Sequence, residues 1–201
     1  QETDHWWFVA RRAIIAHLIE KHVPLGEGAA ILEAGCGTGG NLAMLASYGA
    51  LDAFEYDADA RALAAGRGIG SIDAGALPGQ IGFGEKAYDL IALLDVLEHI
   101  DDDTASLKSL GGRLRADGRM LVTVPAVPWL WSDHDTLHHH KRRYTRDGLG
   151  EVAVQAGLEP LNHFPAWRYQ SPVQQRSGSM ALARAGWRGL TAAGMADSGA
   201  R

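Results

Sequence analysis

The stretch Ile31–Gly40, ILEAGCGTGG, combines an apolar run, a glycine-rich loop and one carboxylate. Glycines at such a turn let a ligand touch the backbone directly. The spacing of Gly35, Gly37 and Gly40 fits the dinucleotide pattern, in which a pyrophosphate lies on the N-terminus of the following helix. Glu33 opposes that interpretation, because a carboxylate beside a pyrophosphate in a partly dry site is repelled. The two features together favour a ligand that carries positive charge and no phosphate.

Two further acids lie at the ends of the next two predicted strands. Glu55 ends the second strand, where a carboxylate can accept hydrogen bonds from both hydroxyls of a ribose. Asp73 ends the third, where it can accept a hydrogen bond from an adenine amino group. Open α/β sheets bind ligands at this edge. S-adenosylmethionine has the matching groups, since it joins an ammonium and a sulfonium to an adenosine.

These residues lie on a chain in which predicted strands and helices alternate. The apolar patterns predict strands at 29–34, 51–56, 68–73, 88–95 and 119–125, with a further candidate at 158–164. Helices are predicted at 39–49, 57–68, 102–118 and 145–157. The alternation is typical of βαβ units and predicts an α/β fold with a parallel sheet covered on both faces.

With these motifs in order, the chain resembles the class I S-adenosylmethionine-dependent methyltransferases. The first motif of that family, acidic-x-Gly-x-Gly-x-Gly, falls on LEAGCGTG, and FEYD, IDAGALP, YDLIALLDVLEHI and LRADGRMLVTVPA resemble the next four. The resemblance covers about residues 29–164 and implies a Rossmann-like, doubly wound, mostly parallel seven-stranded sheet. The sequence shows no convincing final strand. The implied cofactor contacts are Glu33, Gly35, Cys36, Gly37, Gly39, Glu55, Tyr56, Asp73, Ala74, Leu94 and Asp95.

A second group of chemical interest, Asp95, Glu98 and His99, follows the fourth strand at offsets that predict one face of a helical turn. Two carboxylates and an imidazole can bind a divalent metal ion, or can hold His99 as a base. Quinone-ring O-methyltransferases have a similar stretch, so the resemblance implies one of these roles. The structural alternative is that Glu98 and His99 only brace the turn.

The segment 126–144 follows the fifth strand, where such enzymes commonly build the acceptor pocket. Its tryptophans supply flat apolar area, and its arginines can hold a carboxylate or phosphate. We expect acceptor contacts from Trp129, Trp131, His139, Arg142, Arg143 and Tyr144, and a general base among His99, His134 and His138. A zinc site is disfavoured, because the segment has no cysteine and its three consecutive histidines cannot easily face one ion. A surface loop with incidental histidines is the alternative.

The N-terminal stretch HWWFVARRAIIAHLIEKH predicts a helix with apolar side chains at helical spacing, at Trp7, Ile14 and Leu18. We expect it to form a lid over the cofactor, with Arg11 or Arg12 at the methionine carboxylate and Trp6 at the acceptor. Ordinary packing onto the sheet is the alternative for the tryptophans. Together with the segment 126–144, this stretch is similar to a subgroup of methyltransferases often associated with cell-surface sugar or lipid pathways.

The length of 201 residues favours one domain with a sizeable core. We divide it into a lid helix at 1–24, a methyltransferase domain at 25–168 with an acceptor-site insertion at 126–144, and a tail at 169–201. The tail has little periodicity, and its arginines and Trp187 suggest a homodimer contact or a peripheral membrane contact.

Charge and cysteine content set the expected surroundings. A net charge of −5 gives no reason to expect nucleic acid as a partner. The single cysteine excludes an internal disulfide and suits a reducing compartment. No signal peptide and no apolar run long enough for a transmembrane segment is evident in these 201 residues, so a cytoplasmic location is expected.

These features predict a methyltransferase that converts S-adenosylmethionine to S-adenosylhomocysteine. The expected acceptor is a small molecule methylated at oxygen, of a sugar-linked, lipid-linked or quinone-like class. Two alternatives stay open. One is an NAD(P)-dependent oxidoreductase with the same fold, and the other is a catalytically inactive, cofactor-binding partner subunit.

Overall fold

The structure, a computed structural model that describes residues 5–170 and 175–185, is built on one seven-stranded sheet. Its strands are β1 (Ala30–Ala34), β2 (Ala50–Glu55), β3 (Ser71–Ala74), β4 (Tyr88–Leu94), β5 (Leu114–Pro125), β6 (Leu158–Gln170) and β7 (Gln175–Ala185). Their order in the sheet is β3-β2-β1-β4-β5-β7-β6. The first five strands run parallel, and β7 is antiparallel to both of its neighbours.

The helices are α1 (Trp6–His22), α2 (Leu42–Ala46), α3 (Ala58–Ala65), α4 (Asp103–Gly111), α5 (Asp133–Leu137) and α6 (Arg146–Gln155). Two short 3-10 turns, Leu97–His99 and Pro128–Leu130, follow β4 and β5. Side-chain caps explain several helix starts. Asp57 accepts a hydrogen bond from the Ala60 amide at α3, and Thr145 accepts one from Gly148 at α6.

Strand β4 divides the core into two layers. Leu90 and Ala92 pack with Ile15 of α1 and Leu42 of α2 on one face of the sheet. The alternate positions pack with α4 and α6 on the other face, through Ile91 and Leu93. The residues of β4 that face each layer are therefore apolar. Because successive residues face opposite layers, the strand is a continuous hydrophobic run.

The order of the strands sets the place of the ligand crevice. Strand β1 has β2 on one side and β4 on the other, so the direction of winding reverses there. Ligands in open α/β sheets bind outside the carboxyl ends of the strands at such a switch point. The glycine loop after β1 and the turn after β4 both lie at this edge.

Comparison with the sequence-based expectations confirms the fold class and adds one strand. The final strand, which the sequence did not reveal, is β7, paired along β5 from Arg119↔Arg184 to Pro125↔Gly178. The tail proposed for 169–201 therefore contains a sheet strand at 175–185. Residues 186–201, with Trp187 and the rest of the predicted interaction tail, lie outside the described residues.

The buried face of α1 and the start of β5 differ from the sequence-based predictions. In α1 the buried face carries Arg11, Ile15, Leu18 and Ile19, whereas Ile14 is exposed, so the apolar face is turned by about one residue. Strand β5 begins at Leu114, earlier than predicted. In the parts of the chain that the structure describes, no helix has the length and hydrophobicity needed to cross a membrane.

Candidate functional site

A cavity of about 530 Å³ opens at the carboxyl ends of the central strands. Its wall includes Gly35 and Gly37 of the glycine loop, Glu55 and Tyr56 after β2, Asp95 after β4, and His99 from the following turn. The structure thus brings together motifs that lie far apart in the sequence.

The glycine loop needs glycine where it passes the turn after β4. Gly35 has a φ of +74°, and a Cβ there would lie 2.7 Å from Cγ2 of Val96. The amides of Gly35 and Cys36 both donate to the carbonyl of Phe54. These hydrogen bonds hold the loop against β2, while the positive φ and the close approach of Val96 exclude a side chain at position 35.

Glu33 lies in β1, just before the glycine loop. It is fully buried, Asn41 Nδ2 donates to its Oε1 at 2.9 Å, and its Oε2 has no partner among the described residues. Burial raises its pKa to about 7, against the opposing effects of Asn41 and Arg11. A buried carboxylate oxygen without a donor is unfavourable, so the site fits a cationic ligand group such as an ammonium.

Glu55 joins the loop to the end of β2. Its two carboxylate oxygens accept hydrogen bonds from the amides of Gly37, at 2.7 Å, and Asp57, at 2.9 Å. Tyr56 beside it is 79% exposed and forms part of the cavity wall. Glu55 and Tyr56 both line the cavity, and their predicted ribose and adenine contacts stay predictions.

The third acid, Asp73, lies at the end of β3 and is exposed. Its Oδ1 accepts a hydrogen bond from the amide of Ala74 at 2.8 Å. The residues that reach the cavity wall on this side are the next ones along the chain, Gly75, Ala76 and Leu77. The predicted adenine contacts of Asp73 and Ala74 stay predictions.

Asp95 has a left-handed backbone, with a φ of 58°, a conformation that few residues other than glycine adopt. Thr123 Oγ1 donates to its Oδ1 at 2.8 Å, and Arg11 Nη2 lies 2.8 Å from its Oδ2. Arg11 is buried and reaches this position from α1, which brings the predicted lid helix into contact with the cavity wall. The predicted contact of Arg11 with a methionine carboxylate stays a prediction.

The turn after β4 differs from the expected helical face. Because Asp95 is left-handed and the 3-10 turn starts at Leu97, Asp95 does not share one helical face with Glu98 and His99. Glu98 is fully buried, and burial together with Asp95 raises its pKa well above the usual range. Burial and the neighbouring His140 lower the pKa of His99. Potential metal-ligating atoms of Glu98, His99 and His140 lie within 4.8 Å of one another.

The acceptor-site insertion is organised around Asp135, which is fully buried. Arg143 donates to both of its oxygens at 2.7 Å from Nε and Nη2, and the His140 Nδ1 lies 3.0 Å from Oδ1. The amide of Ser132 donates to Oδ2 at 2.9 Å. Burial alone would raise the pKa of Asp135, but the bonds from Arg143 and His140 hold it far below its usual range.

Other predicted acceptor residues divide into exposed and internal groups. Trp6, Trp129 and Trp131 are exposed, as are His138 and His139, and the rings of His134 and His138 lie 4.2 Å apart. Arg142 and Tyr144 both donate to Oδ2 of Asp103, at 2.9 and 2.8 Å. They anchor the insertion to the domain, whereas Arg143 pairs with Asp135 inside the insertion, and the predicted acceptor contacts of all three stay predictions.

Sequence reasoning missed His140, Asp135, Thr123 and Asn41. A weak signal existed for Asp135, since Ser132-x-x-Asp135 fits a capping box. Asn41 lies only eight residues from its partner Glu33, but no sequence pattern indicates that contact, whereas Thr123 and His140 meet Asp95 and Glu98 from distant parts of the chain.

Comparison with known proteins agrees with this geometry. A family model described as a methyltransferase domain matches residues 8–180. No curated protein matches the chain. Among solved structures, a TehB-like SAM-dependent methyltransferase from Corynebacterium glutamicum is 27% identical, with a TM-score of 0.61 and coverage of 85% of this chain and 86% of that chain.

Two other solved structures share the fold at lower identity. A putative sarcosine dimethylglycine methyltransferase from Galdieria sulphuraria is 14% identical, with a TM-score of 0.73 and coverage of 89% and 86% of the two chains. Magnesium protoporphyrin IX methyltransferase from Synechocystis PCC 6803, with bound SAH, is 12% identical, with a TM-score of 0.68 and coverage of 88% and 82%. The chain therefore belongs to the methyltransferase-domain family and is an S-adenosylmethionine-dependent methyltransferase of class I.

Proposed function

We propose that the protein transfers a methyl group from S-adenosylmethionine to an oxygen atom of a small-molecule acceptor. When bound, the cofactor supplies an electrophilic methyl group on a sulfonium. The observation that carries the cofactor assignment is Glu33 Oε2, a buried carboxylate oxygen without a hydrogen-bond donor at the glycine loop. An ammonium would supply the missing donor and the opposite charge.

In this proposal the other cofactor contacts follow the edge of the sheet. Glu55 exchanges its loop hydrogen bonds in part for the ribose hydroxyls, and Tyr56 with Leu77 flank the adenine. The backbone of the glycine loop lets the cofactor approach closely, since a Cβ at Gly35 would already collide with Val96. Asp95, held by Thr123, stands near the methionine end.

The proposed acceptor is a hydroxyl compound of a sugar-linked, lipid-linked or quinone-like class. An oxygen nucleophile must lose its proton during transfer, so a group that can take the proton or lower the pKa of the hydroxyl is needed. His99 lines the cavity and is the group that we propose for this role. In this proposal the rings of Trp129 and Trp131, 76% and 44% exposed, supply apolar area for the acceptor.

The test of the cofactor assignment is a calorimetric titration with S-adenosylhomocysteine and, separately, with NAD. We expect binding of S-adenosylhomocysteine alone, and a loss of about 10- to 100-fold in affinity for Glu55→Ala, because two charge-assisted hydrogen bonds to the ribose are removed. Asp59→Ala, an exposed acid on the following helix, is the matched control. Binding of NAD instead, or unchanged affinity of Glu55→Ala, would refute the placement.

The acceptor is tested by transfer of a labelled methyl group. Cell extract and purified sugars, polyprenyl-linked sugars and quinols are offered with labelled S-adenosylmethionine, and the atom that carries the methyl group in each labelled product is identified by NMR and mass spectrometry. Label on oxygen supports the proposal, and label on nitrogen or carbon contradicts it. Tight cofactor binding with no labelled product from any extract would favour the inactive partner subunit.

A further inference from the structure

Glu98 is a buried carboxylate that has no hydrogen-bond partner. It is fully inaccessible to solvent, and neither Oε1 nor Oε2 is bonded to any group within residues 5–170 and 175–185. An ionised carboxylate in such surroundings is strongly unfavourable unless a counter-charge compensates it. The position is therefore incomplete until a proton or a cation joins it.

Two imidazole rings stand beside this carboxylate. One ligating atom from each of Glu98, His99 and His140 lies within 4.8 Å of the others, and the two rings are 4.8 Å apart at an angle of 80°. Atoms that ligate one ion with bonds of about 2.1 Å are at most roughly 4 Å apart. The three side chains would thus have to move by only a fraction of an ångström to about one ångström.

The backbone and a second carboxylate hold His140 in this position. The amide of Lys141 donates to the carbonyl of Glu98 at 2.8 Å, which fixes the insertion on the turn after β4. Asp135 contacts Nδ1 of His140 at 3.0 Å and is itself held by Arg143. This bond favours the tautomer with a proton on Nδ1, so Nε2 keeps its lone pair, as in carboxylate–histidine–metal arrangements.

Asp95, which the sequence grouped with Glu98 and His99, already has other partners. Its two oxygens face Thr123 and Arg11. A cation at Asp95 would have to displace Arg11, which is buried and positively charged. His140, which the sequence pattern did not include, takes the place of Asp95 in the set.

We propose that Glu98, His99 and His140 bind one divalent transition-metal ion, such as Zn²⁺, Mn²⁺ or Fe²⁺. One carboxylate oxygen and two imidazole nitrogens favour such ions over Mg²⁺ and Ca²⁺, which prefer oxygen ligands. His99 also lines the cavity, so the ion borders the space next to the cofactor site. There an acceptor hydroxyl bound to the ion would lose its proton more readily, a step that rests on the proposed function.

The experiment uses the full chain without an affinity tag, treated with a chelator and titrated with Co²⁺ while the visible d–d absorption is recorded. Zn²⁺ is then added to compete. We expect one equivalent of either ion and a rise of the unfolding temperature when it binds. Glu98→Gln and His140→Ala should each weaken binding by about 100-fold or more, with circular dichroism showing that both variants are folded.

His134→Ala and His138→Ala are the matched controls, because these two rings lie close together, His134 on α5 and His138 directly after it, and are outside the proposed set. Both should bind Co²⁺ as the unmodified chain does. The proposal is overturned if no ion binds, if Glu98→Gln binds as tightly as the original, or if the control substitutions abolish binding. It is also overturned if Mg²⁺ displaces Co²⁺ at equal concentration.

The titration requires no cofactor, so its outcome is separable from the proposed function. A chain that binds S-adenosylhomocysteine but no metal overturns the metal site alone. A chain that binds Co²⁺ with the expected variant pattern but fails to transfer a methyl group keeps the metal site and overturns the reaction.

Discussion

Strand β1, which leads into the glycine loop, and the acceptor-site insertion each contain a fully buried carboxylate, and the two carboxylates differ in their hydrogen-bond partners. Glu33 accepts one hydrogen bond, from Asn41, and has an oxygen without a donor. Asp135 accepts bonds from Arg143, Ser132 and His140 on both oxygens. Their pKa values diverge accordingly, to about 7 for Glu33 and far below the usual range for Asp135.

This difference distinguishes a buried carboxylate that is suited to binding a ligand from one that only stabilises the fold, which we call architectural. Burial removes a carboxylate from water, and the protein must return equivalent hydrogen bonds if the group serves only the fold. Asp135 receives them and holds the insertion together. Glu33 does not, so its buried carboxylate needs a proton or a cationic ligand group to compensate it.

The largest expected effect comes from removing the architectural carboxylate. Asp135→Ala leaves Arg143 buried without its counter-charge, and we expect a loss of about 3–5 kcal/mol in the free energy of unfolding. Urea denaturation followed by circular dichroism measures it. Asp133→Ala, an exposed acid of the same helix, should change stability by only about 0.5 kcal/mol. A loss below about 1 kcal/mol for Asp135→Ala would contradict the comparison.

A somewhat smaller effect on the free energy of unfolding, a loss of stability with rising pH, comes from Glu33. Its pKa is raised from 4.5 to about 7 in the folded chain, so the folded state holds a proton that the unfolded state has already released. The stability that this proton contributes is full below about pH 4.5 and is lost as the pH rises to 7, by roughly 3 kcal/mol. Urea denaturation of the cofactor-free protein at several pH values measures the decline.

Glu33→Gln is the matched variant for that measurement, because it keeps the shape of the side chain and cannot titrate. The difference in unfolding free energy between the original chain and this variant should follow the pH curve, whereas Asp135 contributes only below about pH 4, where its protonation begins to cost stability. The same variant should bind S-adenosylhomocysteine about 10- to 100-fold more weakly, since the carboxylate is lost. A flat difference curve would show that Glu33 is not the responsible group.

The two regions also differ in how far the sequence alone could foretell them. The glycine loop was predictable because its signals are local: an apolar strand, glycines at fixed spacing and an acid at the strand end. For Asp135 the sequence contains only a capping-box pattern. The pairing of Asp135 with Arg143 depends on the fold of the insertion, which no local pattern predicts. His140 meets Glu98 from a distant part of the chain, and no periodicity reports such a contact.

The sheet shows the same division. Parallel strands such as β4 are apolar runs and were recognised as strands. Strand β7 consists largely of small and polar residues, and it becomes a strand because β5 and β6 offer it two pairing edges. In α1 the apolar face was misjudged by a residue because Arg11, a charged side chain, turns inward to reach Asp95. In each case a tertiary partner overrides the local pattern.

The smallest predicted effect tests whether Asp135 still has enough hydrogen-bond donors when one of them is removed. Ser132 Oγ lies 3.2 Å from Asp135 Oδ2, the weakest of the contacts to this carboxylate, and Ser132 caps α5. Ser132→Ala removes that hydroxyl but keeps the amide bond to Oδ2 and the bonds from Arg143 and His140, so the cost should be about 1 kcal/mol. Thr145→Ala, which removes the cap of α6 without touching a buried acid, should cost a similar amount in the same urea experiment. If Ser132→Ala instead cost as much as Asp135→Ala, the stability of the insertion would depend on this one hydroxyl and not on the ion pair of Asp135 with Arg143, which would contradict the comparison with Glu33.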